Sequence, residues 1–216
     1  REIQLARRQQ NFLLSITHEL KTPISTIKLY LQTLLKRDLD EVKKKEAIDT
    51  MLDENERLYS LVGKMLLAAK MEDSTFSLSK EKVNVSSLVL KIAARLRSNH
   101  LLIETNLDDN VEMNIDSEAI DTALSNLIDN AIKYSAEKIL VSLTQTGKQI
   151  VLSVADDGQG IADEEKERIF QRFYRVGSED TRKTKGTGLG LYIVKTLVEM
   201  HNGVISVSNN SSKGSI

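Results

Sequence analysis

The chain of 216 residues has no cysteine, no tryptophan and a single proline, Pro23. Without cysteine, neither a disulfide framework nor a thiolate metal site can form, and a reducing compartment fits. The net charge of -1 gives no basic field for a nucleic-acid backbone, although charged residues are plentiful. No apolar stretch is long enough to span a bilayer, and no signal peptide is visible. An initiating methionine is lacking too. The chain opens inside a helix-like run, Arg1 to Gln10, and reads as a piece cut from a longer protein. Histidines are scarce: His18, His100 and His201 are all there are.

His18 is the most informative of them. The apolar residues around it, Leu13, Ile16, Leu20, Ile24, Ile27, Leu31 and Leu34, step by three and four, the spacing of a buried seam on a long helix. At 100° per residue His18 lies about 200° from Ile16 and Leu20, so it points away from that seam. Glu19 follows it, and Thr22 stands one turn on along the same face. An exposed neutral imidazole beside a carboxylate can be activated as a nucleophile. A lone histidine on a polar helix face is ordinarily just solvated, so the weight falls on what lies downstream. His201, beside Asn202 and Gly203, reads as a helix-end residue whose positive inclination suits the C-terminal dipole.

Three further groups follow in order. Asn126-Leu-Ile-Asp-Asn130-Ala-Ile-Lys133-Tyr134 reads as a helix with both asparagines on one face. Asp156-Asp-Gly158-Gln-Gly160 follows the apolar run Ile150 to Val154, as a loop follows a strand. Gly186-Thr187-Gly188-Leu189-Gly190-Leu191 opens an apolar-periodic helix ending near His201. Glycines let backbone approach a ligand closely, and helix-terminal N–H groups suit phosphate oxygens. Asparagine carbonyls offer Mg²⁺ neutral oxygen ligands, and a carboxylate at a strand end can accept from an adenine amino group. Neither the dinucleotide fingerprint nor the P-loop pattern is matched. Taken singly each group is weak; paired asparagines are commonly solvated, and glycine clusters are commonly turns.

In this order and together, the groups resemble the bacterial two-component sensor histidine kinases. His18-Glu19-Leu20-Lys21-Thr22-Pro23 is similar to that family's phosphoacceptor box, and Asn126 to Tyr134 to its N box. Asp156 to Gly160 and Gly186 to Leu191 are similar to its two glycine boxes, and Ile169 to Arg175 to its phenylalanine box. The resemblance covers essentially the whole chain. It implies a helical hairpin that forms a dimeric four-helix bundle, followed by a Bergerat-type α/β sandwich shared with some chaperone, gyrase and mismatch-repair ATPases. It also implies ATP and Mg²⁺ as cofactors, with autophosphorylation of His18 and transfer to an aspartate on a response-regulator receiver domain. Glu19 would accept the proton of His18 or orient its ring. Asn130 would be the metal ligand with Asn126 in support, and Asp156 would recognise adenine. Lys133, Arg175 and the amides of Gly188 to Leu191 would neutralise phosphate charge. Tyr134, Gly158, Gly160, Ile161, Phe170, Gly186 and Thr187 complete the implied nucleotide site. Thr22, four residues after the histidine, matches the position that orients a hydrolytic water, implying phosphatase activity toward the regulator; a local backbone role before Pro23 is the alternative. An ATPase or ATP-gated clamp on the same fold, or a non-catalytic scaffold, are the rival readings; the His18 box argues against the first, and Asn130, Asp156 and Gly188 against the second.

The organisation agrees. Helices are expected from Glu2 to Lys36 and, after a charged turn, to about Met71 with a seam of Ile48, Leu52, Asn55, Tyr59, Val62, Leu66 and Ala69. Two such stripes are not buried within one hairpin, which makes a homodimer the natural inference. Asn55 either fixes register or marks a misassigned seam. Pro23 is expected to loosen the turn after His18. Residues 1–72 are assigned to dimerisation and phosphotransfer and 73–216 to nucleotide binding. In the second part helices are expected at Ser86 to Asn99, Ser117 to Tyr134, Asp163 to Phe170 and Leu189 to His201. Strands are expected at Leu101 to Leu107, Val111 to Ile115, Lys138 to Thr144, Gln149 to Ala155 and Val204 to Val207. The polar run Arg175 to Lys185 suggests a nucleotide lid. The sequence stops at Ile216, where relatives continue into a final strand, so that strand is expected to be incomplete. Relatives carry sensor and membrane segments upstream, so the chain is expected to be the cytoplasmic part of an inner-membrane-anchored sensor, with no membrane contact of its own.

Overall fold

The computed structural model describes residues 2–97, 102–134, 137–176, 186–210 and 213–216. Helix α1 (Glu2–Lys36) turns through residues 37–40 into α2 (Glu41–Lys70), making a hairpin. Asp40 caps α2, its carboxylate accepting from the backbone N–H of Lys43 at 2.8 Å. That bond and the neighbouring ammonium of Lys43 hold the Asp40 carboxyl below the usual range. Pro23 lies inside α1 and is buried, and α1 continues past it as a single helix. The seam residues fall mostly outside the hairpin: Ile16 is buried, but Leu13, Ile24 and Leu31 on α1 and Ile48, Leu52, Tyr59, Val62 and Leu66 on α2 are exposed. Asn55 is exposed with them. One hairpin leaves this apolar stripe without cover, as two helices with a single stripe each would.

The remainder alternates strands and helices: β1 (Glu81–Asn84), α3 (Val85–Leu96), β2 (Leu102–Leu107), β3 (Glu112–Ile115), α4 (Ser117–Lys133), β4 (Lys138–Thr146), β5 (Gln149–Asp156) and α5 (Gly190–Met200). β1 pairs antiparallel with β3; β2 runs parallel to β4, and β4 antiparallel to β5. Asn84 and Asp116 cap α3 and α4 by accepting from Ser87 and Ala119. Along β4 the burial alternates, with Ile139, Val141 and Leu143 fully inside. They pack with Val89, Ile92, Ile103, Ile115, Leu124 and Ile128 into one core between sheet and helices. Each such side chain contributes about 1.5–3 kcal/mol when fully removed from water.

A second core lies on the other side of α4. Ala119 and Ala123 meet Leu189, Ile193, Val194 and Leu197, and Ala68 of α2 closes it, with Phe12, Met65 and Met71 of the hairpin packed against it. The hairpin and the α/β part therefore share apolar packing, and that packing brings α1 to the nucleotide motifs.

Several expected elements differ. β1 was not foreseen, because Val83 is its one apolar residue and four residues carry too little alternation. Asp163 to Phe170 is a 3-10 turn over Asp163–Glu165 followed by further turns. Its bonds are mostly i to i+3, as in Arg168 N to Glu165 O at 2.9 Å, and Ile169 is its only buried side chain. Val204 to Val207 forms no ladder among the described residues; Val204 is 94% exposed. At the last residue of β5, Asp156 N donates to the carbonyl of Ser215 at 2.8 Å. Helix α3 ends at Leu96, before Asn99, which with His100 and Leu101 lies outside the described residues. His201 donates from Nδ1 to Leu197 O (2.7 Å) and accepts at Nε2 from Asp116 N (3.1 Å).

Candidate functional site

His18 is exposed on α1, facing away from the buried Ile16. The neighbouring carboxylate is not: Glu19 is 8% exposed. Its Oε2 accepts from Arg57 Nη2 of α2 at 2.9 Å, and its Oε1 accepts from the backbone N–H of Gly186 at 2.7 Å. One turn earlier, Ser15 donates to Gly186 O at 3.2 Å and accepts from Arg175 Nη1 at 3.3 Å. The glycine run that leads into α5 is thus seated on the turn of α1 that carries His18. Thr22 Oγ1 donates to His18 O at 3.1 Å, the local bond open to a threonine in a helix.

A cavity of about 1010 Å³ runs from α4 and the start of α5 along β5 to residues 201–208, and the candidate site is one part of it. It is lined by Asn126, Asn130 and Lys133 of α4 with Tyr134 at its C-terminus, by Asp156 at the end of β5, and by Gly160 and Ile161 of the loop that follows. Phe170 and Arg175 line it further on, and Gly186, Thr187, Gly188, Gly190 and Leu191 close it. Two expected residues do not line it. Leu189 has its side chain in the second core, fully buried, leaving only its backbone to the site. Gly158 is buried beneath, its N–H donating to Asp156 Oδ1 at 2.8 Å. The expected lid, apart from Arg175 and Val176, lies outside the described residues.

The asparagines divide their work. Asn126 is buried, donates to Thr122 O at 2.8 Å, and its Oδ1 lies where a side chain on Gly190 would begin, 3.2 Å from that Cβ position. It braces α4 against the start of α5. Asn130, one turn on, makes no side-chain hydrogen bond among the described residues, which leaves its amide oxygen to the cavity. A neutral oxygen without a protein partner fits one hard divalent cation ligand. Among the described residues no group of three or more acidic, histidine or cysteine ligands could hold a metal, so any ion there would depend on the phosphates for its remaining ligands.

Asp156 and Asp157 separate likewise. Asp157 Oδ1 accepts from the backbone N–H of Lys138 and Glu137, and these bonds hold its carboxyl below the usual range. Asp156 is fixed through its backbone to Ser215 and to Asn210 Nδ2 (2.9 Å), and through Oδ1 to Gly158. Its second oxygen is left as an acceptor toward the cavity. α5 starts at Gly190 with no side-chain cap, so the first-turn N–H groups remain for an anion. Gly188 has φ +71°, and a Cβ there would come within 2.7 Å of Tyr174 O and 2.8 Å of Phe173 C, so only glycine fits. Lys133 is half-buried over Gly186; burial, then the charge of Arg175, lowers its ammonium pKa to about 8.

Sequence reasoning passed over Arg57, Ser15, Phe12 and Ser215. Phe12 stacks on Phe173 with ring centroids 3.6 Å apart, and Arg172, 4.4 Å from the Phe173 ring centroid, pairs with Glu72. These are contacts between segments far apart in the chain, and no spacing pattern announces them.

Residues 8–74 match the family model described as the His Kinase A (phospho-acceptor) domain. Residues 115–216 match the model described as Histidine kinase-, DNA gyrase B-, and HSP90-like ATPase. The sensor protein SrrB of Staphylococcus aureus (strain N315) is 33% identical over 222 residues, covering 99% of this chain and 38% of SrrB. The chain thus spans well under half the length of the curated relatives it matches. Among solved structures, the Acinetobacter baumannii histidine kinase AdeS superposes with a TM-score of 0.66 at 30% identity, over 90% of this chain and 92% of that one. The mycobacterial sensor histidine kinase MprB superposes with a TM-score of 0.52 at 29% identity, over 60% of this chain and 85% of that one.

Proposed function

The chain belongs to the sensor histidine kinases, and from that premise we propose that it phosphorylates itself on His18 with ATP and passes the phosphoryl group to an aspartate on a response-regulator receiver domain. The observation that carries this reading is the seating of Gly186 on Ser15 and Glu19, which flank His18. It joins the acceptor helix to the glycine run of the cavity. We assign residues 1–72 to dimerisation and phosphotransfer and 73–216 to nucleotide binding. The exposed stripe of α1 and α2 would be covered by the same stripe of a second copy. The whole protein would be a membrane-anchored sensor with this part in the cytoplasm; no helix among the described residues is long and apolar enough to cross a membrane.

In this reading Asp156 accepts from the adenine amino group through its second oxygen. Lys133, Arg175 and the uncapped N–H groups of α5 draw the phosphates toward the helix start. Asn130 would hold Mg²⁺, which when bound supplies charge neutralisation on the phosphates. Asn126 keeps α4 against Gly190, so that Asn130 and the α5 terminus stay in register. His18 attacks the γ-phosphorus in line, Glu19 receives the ring proton, and ADP leaves. Thr22 would orient water when the regulator is dephosphorylated.

Incubation with γ-labelled ATP tests the core of this. Acid-labile, base-stable label should appear on His18, and His18→Ala should remove it while nucleotide binding persists. Label that survives in the variant would move the acceptor elsewhere and end the reading.

A further inference from the structure

We propose that Arg57 of α2 is a positioning residue for Glu19 in the phosphorylation of His18. The inference rests on the reading of His18 as acceptor and Glu19 as receiver of its proton.

Glu19 is an almost fully buried carboxylate, while its neighbours His18 and Lys21 on α1 are exposed. A buried carboxylate needs a partner, and the partner's geometry decides where its lone pairs point. Arg57 supplies both. Its Nη2 takes Glu19 Oε2 at 2.9 Å across the hairpin, and its Nη1 lies 3.7 Å from Glu54 Oε2, one turn back on α2. That Glu54 oxygen is buried with no hydrogen bond, and its one ion pair among the described residues is with this guanidinium. Arg57 is therefore held from behind by Glu54 and reaches forward to Glu19. The planar guanidinium resists rotation, where an ammonium would not.

The consequence concerns the other oxygen. With Oε2 tied to α2, Glu19 has only Oε1 to exchange, and here Oε1 takes the Gly186 N–H at 2.7 Å. During transfer the same oxygen would take the ring proton. The lone pair of one His18 nitrogen forms the N–P bond, and the γ-phosphorus to oxygen bond breaks with its electrons leaving on ADP. The proton of the other ring nitrogen goes to Glu19 Oε1. Arg57 touches neither His18 nor the phosphates in this scheme; it acts through Glu19.

A double-mutant cycle on the full 216-residue chain tests this, with single-turnover labelling from γ-labelled ATP as readout. Arg57→Ala should lower the labelling rate about tenfold or more, the scale at which misplacement of a proton acceptor is felt. The KM for ATP should stay within about twofold, since the residue lies outside the nucleotide cavity. Added to Glu19→Gln, Arg57→Ala should cost nothing further. Arg57→Lys, which keeps the charge and loses the fork, should fall between parent and Arg57→Ala, and it replaces Arg57→Ala in the cycle if the latter does not fold. Losses that multiply in the double variant, or a raised KM with an unchanged rate, would overturn the positioning role. If the parent labels His18 normally and only the cycle is additive, the kinase reading stands and Arg57 alone is wrong; a parent that takes no label on His18 overturns both.

Discussion

Glu19 and Gly186, 167 residues apart in the chain, are joined by a hydrogen bond of 2.7 Å from the glycine N–H to the carboxylate. The same carboxylate neighbours the candidate acceptor His18. The group assigned to the proton of His18 is thus engaged by the glycine run that opens α5. In the proposed reaction the ring proton of His18 would go to the oxygen that here accepts from the Gly186 N–H.

The base-recognition role of Asp156 is separable from its structural one. Asp156→Asn keeps an Oδ1 acceptor for the N–H of Gly158, so the loop should hold its shape. What is lost is the second, purely accepting oxygen. ATP affinity should fall roughly tenfold, the scale of one charge-assisted hydrogen bond, with discrimination against GTP reduced. Calorimetric titration with both nucleotides checks it, and parent-like binding of each would remove Asp156 from base recognition.

With Lys133 in its proposed place beside the phosphates, nucleotide binding should be sensitive to alkaline pH. Its ammonium loses the proton near pH 8 in the folded chain, against 10.5 ordinarily. Between those values the unfolded chain binds more protons, so the Lys133 contribution to stability rises with pH across that window. Nucleotide affinity moves the other way. If the phosphates require the charged form, affinity should drop about tenfold between pH 7 and pH 9. Lys133→Arg should flatten that slope; a parent profile that is already flat would refute the role.

Thr22 carries two possible functions in one hydroxyl. Its hydrogen is on His18 O at 3.1 Å, but its lone pairs remain for a water. Thr22→Ala should leave labelling of His18 within about twofold and slow dephosphorylation of the regulator roughly tenfold, the value of about one hydrogen bond. Measured on one folded preparation, a parallel fall in both rates would reduce Thr22 to a local helix contact.

His201 links the end of α5 to the start of α4 without touching the chemistry. His201→Ala leaves the N–H of Asp116 without its ring acceptor and should cost about 1–3 kcal/mol. Thermal melting should register the loss, while label on His18 persists in chain that remains folded. Loss of label from a fully folded variant would contradict this division.

Local patterns carried much of the architecture. The three-and-four spacing on α1 and α2 and the apolar run of Lys138 to Thr144 each announce an element within a few residues, because helix and strand periods are properties of neighbouring side chains. The same locality explains the failures. Asp163 to Phe170 carries helix-like composition, yet it has only Ile169 to bury and closes into tight turns. Val204 to Val207 is rich in β-branched apolar residues like a strand, but a strand needs a partner alongside, and among the described residues none is bonded to it. Motif order pointed to His18, Asn130, Asp156 and the glycine run as members of one site. Only the packing of Phe12 and Ala68 onto the α5 core decided that Gly186 should rest against the turn of His18, and that Arg57 should reach Glu19 across the hairpin. Those contacts depend on how two finished surfaces fit, a property of residues distant in the chain that no local period encodes.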